Sequence, residues 1–157
     1  MNIKSVVATI VVGASLATAA LAQSEPKEEF LFVQVAESGT FADGVLTLAA
    51  GSTTAFFSDR PERKVGFITH EELLEAWKAG ADSFASDPPN ASITVRNEGK
   101  PQLAVVELSD PALVGAELAY RVKILEGSLP AELGQASLFI DAGGLMQLVA
   151  YGAQDTD

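Results

Sequence analysis

Turn-forming residues interrupt this chain about every ten residues, which leaves room for short strands and little else. Phe30–Ala36 is a candidate strand, apolar on both faces except at Gln34, so it is expected inside a sandwich rather than on its surface. Glu37-Ser38-Gly39 and Ala42-Asp43-Gly44 are turn signals, Val45–Ala49 is the next strand, and Thr53–Ser58 follows Gly51-Ser52. Asp59-Arg60-Pro61-Glu62-Arg63 breaks the pattern, and Asp87-Pro88-Pro89-Asn90 is too rich in proline for regular structure. Beyond it, Ser92–Asn97 pairs naturally with Gln102–Leu108 across Glu98-Gly99-Lys100, a loop of hairpin length holding a glycine. Ser109-Asp110-Pro111 is expected to end that second strand.

Glu117–Glu126 has the cleanest alternation in the chain. Leu118, Tyr120, Val122 and Ile124 fall on one face and Glu117, Arg121 and Lys123 on the other, the pattern of a half-buried antiparallel strand. Gly127–Gly134 reads as a loop, Ser137–Ile140 as a short strand, and Leu145–Tyr151, after Gly143-Gly144, as a last strand or alternatively a terminal helix. One helix interrupts the series. Thr69 is a good N-cap with Glu72 three residues on, Leu73, Leu74 and Trp77 form an apolar stripe at helical spacing, and Gly80 is placed to end it. About seven or eight short strands with one inserted helix predict a mainly β fold: an antiparallel β-sandwich, or alternatively a small barrel.

The N-terminus predicts export. Lys4 supplies a positive charge, Val6–Ala20 is an apolar run broken only by Ser, Thr and Gly, and Ala20-Leu21-Ala22 offers small residues before a cut at Gln23. The run is shorter than the roughly 20 residues a membrane-spanning helix needs. Residues 1–22 are therefore expected to be a signal peptide and 23–29 a short linker. Residues 30–157 then form a single β-rich domain without a transmembrane segment, periplasmic or extracellular. The chain has no cysteine, so disulfides, thiol catalysis and cysteine-ligated metals are excluded and packing must supply the stability. A formal charge of −11 repels phosphate backbones and argues against a nucleic-acid partner.

Chemistry has few places to reside. The single histidine rules out a histidine cluster or an HExxH pair, and there is no G-x-S-x-G elbow, P-loop or G-x-G-x-x-G. His70 stands just inside the helix N-terminus, where the helix dipole favours its neutral form; it is either a base or ligand there or an exposed first-turn residue. Arg60 and Arg63, beside Asp59, can present guanidinium forks to a carboxylate or phosphate, or tie an Asx-type turn to an acid such as Asp82 or Asp87. Trp77 and Phe84, with the stiff Asp87–Asn90 segment, can line a groove, or anchor the helix on the sheet. The acids Asp43, Asp59, Asp82 and Asp87 match no EF-hand spacing, and no metal or cofactor is expected.

Phe57-Ser58-Asp59-Arg60-Pro61-Glu62-Arg63, Trp77, Asp82-Ser83-Phe84-Ala85 and Asp87-Pro88-Pro89-Asn90-Ala91 together resemble the central signature of a group of uncharacterised exported bacterial proteins, a likeness extending through Leu118–Leu125 to Leu138-Phe139-Ile140-Asp141. The resemblance implies kinship and transfers no catalytic role. The residues lead to a module that binds a small ligand or an envelope protein, with Asp59, Arg60, Arg63, His70, Trp77, Phe84, Asp87 and Asn90 as candidate contacts. A small hydrolase or lyase using His70 with a nearby acid, and an envelope structural protein, are the alternatives. Mass spectrometry of the chain recovered from an exporting host should find Gln23 at the N-terminus; a chain retaining Met1 or Asn2 would contradict the export reading.

Overall fold

The structure, a computed structural model, describes residues 30–58, 62–80 and 83–142. The signal peptide and linker, Asp59, Arg60, Asp82 and the expected strand at 145–151 lie outside the described residues. In chain order the strands are β1 (Phe30–Ala36), β2 (Gly39–Ala42), β3 (Val45–Leu48), β4 (Thr53–Ser58) and β5 (Lys64–Thr69); then helix α1 (His70–Trp77); then β6 (Asn90–Arg96), β7 (Gln102–Val114), β8 (Glu117–Gly127), β9 (Glu132–Leu133) and β10 (Gln135–Ala142). The mainly β, antiparallel class with one helix is what the structure shows. Among the described residues ten strands belong to one hydrogen-bonded sheet rather than two separate ones.

That sheet closes on itself. Phe30 faces Ala142 and Ala36 faces Ala136 in the β1–β10 ladder, and Gly39 faces Leu133 and Thr40 faces Glu132 in the β2–β9 ladder. The two ladders keep one register, so β1–β2 and β9–β10 are two halves of a single bent ribbon, broken at Glu37-Ser38 opposite Gly134. On its far edge β2 bonds to β3, β3 to β8, β8 to β7, β7 to β6 and β6 back to β10. Six strands thus complete a ring, the arrangement of the barrel alternative. The β4–β5 hairpin branches from it, because β1 pairs with β4 over Phe30–Val33.

The branch leaves a gap that α1 fills, touching β4, β5 and β7. The capping box forms as the residues require: the Glu72 N–H donates to Thr69 Oγ1 (3.2 Å), and the Thr69 N–H to the Glu72 carboxylate (2.8 Å). Leu73 and Trp77 face inward. The Trp77 ring meets Phe84 at 4.8 Å and Tyr120 at 5.7 Å, and Phe84 meets Phe32 edge-on at 6.5 Å, so the helix is bound to the barrel interior by aromatic contacts.

Several expectations need correction. β1 is not buried on both faces: Gln34, its one polar residue within the run, points inward at 1 % exposure, while Val35 is 63 % exposed. β7 does not stop at Pro111. It continues to Val114 through a register shift between Ser109 and Ala112, where Asp110 adopts φ 47°; a bulge tolerates a proline that has no N–H to give the ladder. Ile124 is exposed, because β3 covers β8 only along Leu118–Arg121 and the strand then runs beyond the core. Lys64–Thr69, unassigned from the sequence, is the edge strand β5, with Val65 and Phe67 turned to solvent beside Phe57 of β4. The loop expected at Gly127–Gly134 contains β9.

Gln34 is accommodated by a small polar network inside the barrel. Its Nε2 donates to Tyr120 OH (2.7 Å) and Thr54 Oγ1 (3.1 Å), and Tyr120 OH donates to Gln34 Oε1 (3.0 Å). Burial pushes the Tyr120 phenol far above its ordinary pKa. Tyr120→Phe should cost about 1–3 kcal/mol by stranding the Gln34 amide, and Gln34→Leu a similar amount. The double variant should cost clearly less than the sum, as urea unfolding will measure; strictly additive costs would show that the three side chains do not act together.

Candidate functional site

A concavity lies where four chain segments meet at one end of the barrel. A cleft of about 860 Å³ is lined by the end of β1 (Val35, Glu37), the β3–β4 connection (Ala49–Ser52), the first turn of α1 (His70, Glu71) and the tip of the β7–β8 hairpin (Leu113 and Gly115–Glu117). Backbone hydrogen bonds stitch its walls. The Glu37 N–H donates to the Ala49 carbonyl (3.2 Å), the Ala49 N–H to the Ser38 carbonyl (3.0 Å) and the His70 N–H to the Ser52 carbonyl (3.3 Å). The fourth wall exists because β7 runs past its bulge, carrying the hairpin tip beyond β6 and over this end of the fold.

His70 is the polar group set deepest in the wall. It occupies the first helical position after the Thr69 cap and, with Leu73 and Trp77, forms the stripe facing the interior. Only 2 % of it is exposed, so it is not the solvated first-turn residue that was the alternative. Its Nε2 is shielded from solvent without a hydrogen-bond partner. Burial lowers the His70 pKa, outweighing the opposing influence of the Glu71 charge and the Thr53 backbone, so the imidazole is neutral at pH 7.

The charged lining is one-sided. Glu37, Glu71 and Glu117 are all exposed and line the cleft from three different segments, and among the described residues no lysine or arginine lines it. Val35, Ala49, Leu113 and Ala116 supply its apolar surface. Among the described residues no three His, Asp or Glu side chains gather closely enough to hold a metal ion, and no helix is long and apolar enough to cross a membrane.

The other residues singled out from the sequence are dispersed. Trp77 and Phe84 are core residues and line no part of the cleft. Arg63 is exposed at the foot of β5, and Asp87 is exposed in the turn after Phe84, its N–H donating to the Ser83 carbonyl (2.9 Å). Asn90 opens β6 opposite Glu107. Asp59 and Arg60 lie outside the described residues. Of the six that are described, His70 lines the cleft and the other five do not. Glu37, Glu71, Glu117 and Ser52 carried no signal in the sequence, since ordinary turn and strand-end residues become a site only when long-range pairing gathers them. Searches of protein-family models, of curated proteins and of solved structures each find no match.

The lowered His70 pKa has a consequence for stability. As pH falls below about 6.5, the unfolded chain takes up a proton at His70 that the folded chain refuses, so this residue contributes a loss of stability in acid and nothing above neutrality. Between about pH 7 and pH 5, Tm should fall less steeply in His70→Gln than in the unaltered chain, the carboxylates being common to both. Parallel Tm–pH curves would mean that His70 titrates alike in the folded and unfolded states.

Proposed function

We propose that this chain is an exported module that binds a small ligand in the His70 cleft. One observation carries the reading: a neutral, almost fully buried histidine whose Nε2 has no hydrogen-bond partner, in the wall of an open cleft of ligand size. A buried polar atom left unpaired costs about 1–3 kcal/mol, and a ligand whose entry displaces the groups that shield it recovers that cost on binding. The mixed lining, apolar walls with a few polar groups from separate segments, is the usual makeup of a small-molecule site. The N-terminal residues Lys4 to Gln23 support export, and the Phe57–Arg63 and Ser83–Ala91 strings support kinship with other exported bacterial proteins.

The hydrolase or lyase alternative draws on the same residues, since neutral His70 and Glu71 share the cleft. It is the weaker reading because no hydroxyl or carboxyl group of the protein is hydrogen-bonded to Nε2, so nothing pairs the base with a nucleophile or an acid. Envelope scaffolding alone gives no reason for a polar cleft.

A thermal-shift screen with sugars, organic acids, amines and phosphates tests the binding reading. A ligand at a hundred times its Kd should add about 2.7 kcal/mol, a rise of several degrees in Tm. Ala116→Trp places a bulky ring at the exposed hairpin tip without disturbing the core and should abolish the shift. A shift surviving in Ala116→Trp would place binding elsewhere, and no shift with any class would sink the proposal.

A further inference from the structure

We infer that β5 is an interaction edge whose partner is the β5 of a second copy of this chain, paired antiparallel about a two-fold axis at Gly66. The inference is separate from the cleft and stands or falls without it. Closure of the ring leaves several stretches of strand edge open, and they are not alike. Where β7 runs past β6 it carries the Asp110-Pro111 bulge, and where β8 runs past β3 it carries Lys123 and Glu126. Charges, prolines and bulges on an open edge discourage another strand from pairing there. β5 stands at the end of the sheet, bonded to β4 alone among the described strands. Its register with β4 is unbroken from Lys64 to Thr69, and from Val65 to Thr69 it holds no charge and no proline. The edge is therefore a ready template for a further strand.

Apolar surface gathers at the same edge. On the outer face of the sheet Phe139, Val33, Ala55 and Phe67 follow one another across β10, β1, β4 and β5. Exposure is greatest on the last strand, 68 % at Phe67 and 82 % at Val65. β5 also suits its own copy. Opposite residues of an antiparallel pair share a face, so a two-fold at Gly66 sets Val65 of each copy against Phe67 of the other. Pairs of an aromatic and a β-branched residue across strands stabilise a sheet. The charges at the two ends fit this arrangement. Glu62, Arg63 and Lys64 make the start of β5 net positive, while Glu71 and Glu72 follow its end in the first turn of α1. Antiparallel pairing brings the positive start of each copy beside the negative end of the other, and a parallel pair would oppose like charges. The formal charge of −11 opposes approach of two copies, and one strand with two apolar side chains from each is a small interface. The dimer is accordingly weak and concentration-dependent.

The experiment is sedimentation velocity of the chain purified from an exporting host, over concentrations from about 10 μM to about 1 mM, where a weak interface associates. A monomer–dimer equilibrium is expected. Phe67→Lys and Val65→Lys, each at a position turned to solvent, should leave Tm in dilute solution unchanged and weaken dimerisation about tenfold or more. Phe139→Lys, on the same outer face but three strands in from the edge, should leave the dimer as it is. Arg63→Glu should weaken the dimer, and adding Glu71→Arg should restore it; a double variant as weak as the single one would refute the antiparallel arrangement. Hydrogen exchange adds a second measurement. Alternate amides of Val65–Ile68 should exchange rapidly in dilute solution and slowly at high concentration. A monomer throughout, or a dimer indifferent to both edge lysines, would overturn the inference. So would a dimer lost equally in Phe139→Lys, which would mean that the outer faces stack. Slow exchange of all these amides at every concentration would also overturn it, since the chain's own residues would then cover the edge.

Discussion

The fold depends on one antiparallel ribbon keeping its register across a break. β1–β2 and β9–β10 pair along a common alignment from Phe30 and Ala142 to Thr40 and Glu132, and the break between their halves lets the ribbon bend. Asn97 holds the bend from the neighbouring segment: its Oδ1 accepts from the Gly134 N–H at 2.6 Å and its Nδ2 donates to the Glu132 carbonyl at 3.1 Å. Only glycine fits there, because a Cβ at position 134 would stand 2.5 Å from the Arg96 carbonyl oxygen. A one-residue slip anywhere along this ribbon would exchange its buried and exposed faces. The bend brings β2 within reach of β3 and closes the ring, and in a chain without disulfides this closure removes sheet edges that would otherwise be open.

Two polar side chains show how differently the closed interior treats its exceptions. Gln34 and His70 are both almost wholly buried, at 1 % and 2 % exposure. Gln34 has its amide engaged on both sides by Tyr120 and Thr54, as a structural polar group must be. His70 has its Nε2 without a partner and lies in the wall of a cleft. A buried polar group without a partner is costly and uncommon in a settled core, and its position at the mouth of the barrel rather than at its centre is what separates a site from a packing defect.

The parts of this fold that were legible in the sequence are those whose signals are local. β1 and β4 have the bounds their residues suggest, the Thr69–Glu72 capping box fixes the start of α1, and the glycine-bearing loop at 98–100 marks the β6–β7 hairpin. Closure was illegible, because it rests on the register between residues near 30–42 and residues near 132–142, and periodicity carries no information about pairing at that distance. Pro111 misled because a proline ends a strand in most settings and a bulge is the exception. β5 was missed because its outward positions, Val65 and Phe67, are apolar and Gly66 interrupts it; the Gly66 site is needed because the Phe56 ring lies over it, so close that a Cβ would be 2.7 Å from the ring.

The candidate site was legible only at its centre. A lone histidine behind a capping box can be found by inspection, but its burial depends on Leu73 and Trp77 turning that face of α1 into the barrel gap. The aromatics that seemed fit for a ligand groove were recruited to hold the helix in place, and the groove formed instead from strand ends and a hairpin tip. This division of labour has a physical reason. Trp77 and Phe84 give more by packing on Tyr120 and Phe32 than they could at a solvated rim, and their packing presses the start of α1 against the Ala49–Ser52 connection. The cleft can then leave His70 Nε2 unpaired because its position is imposed from behind by the core rather than by anything inside the cleft.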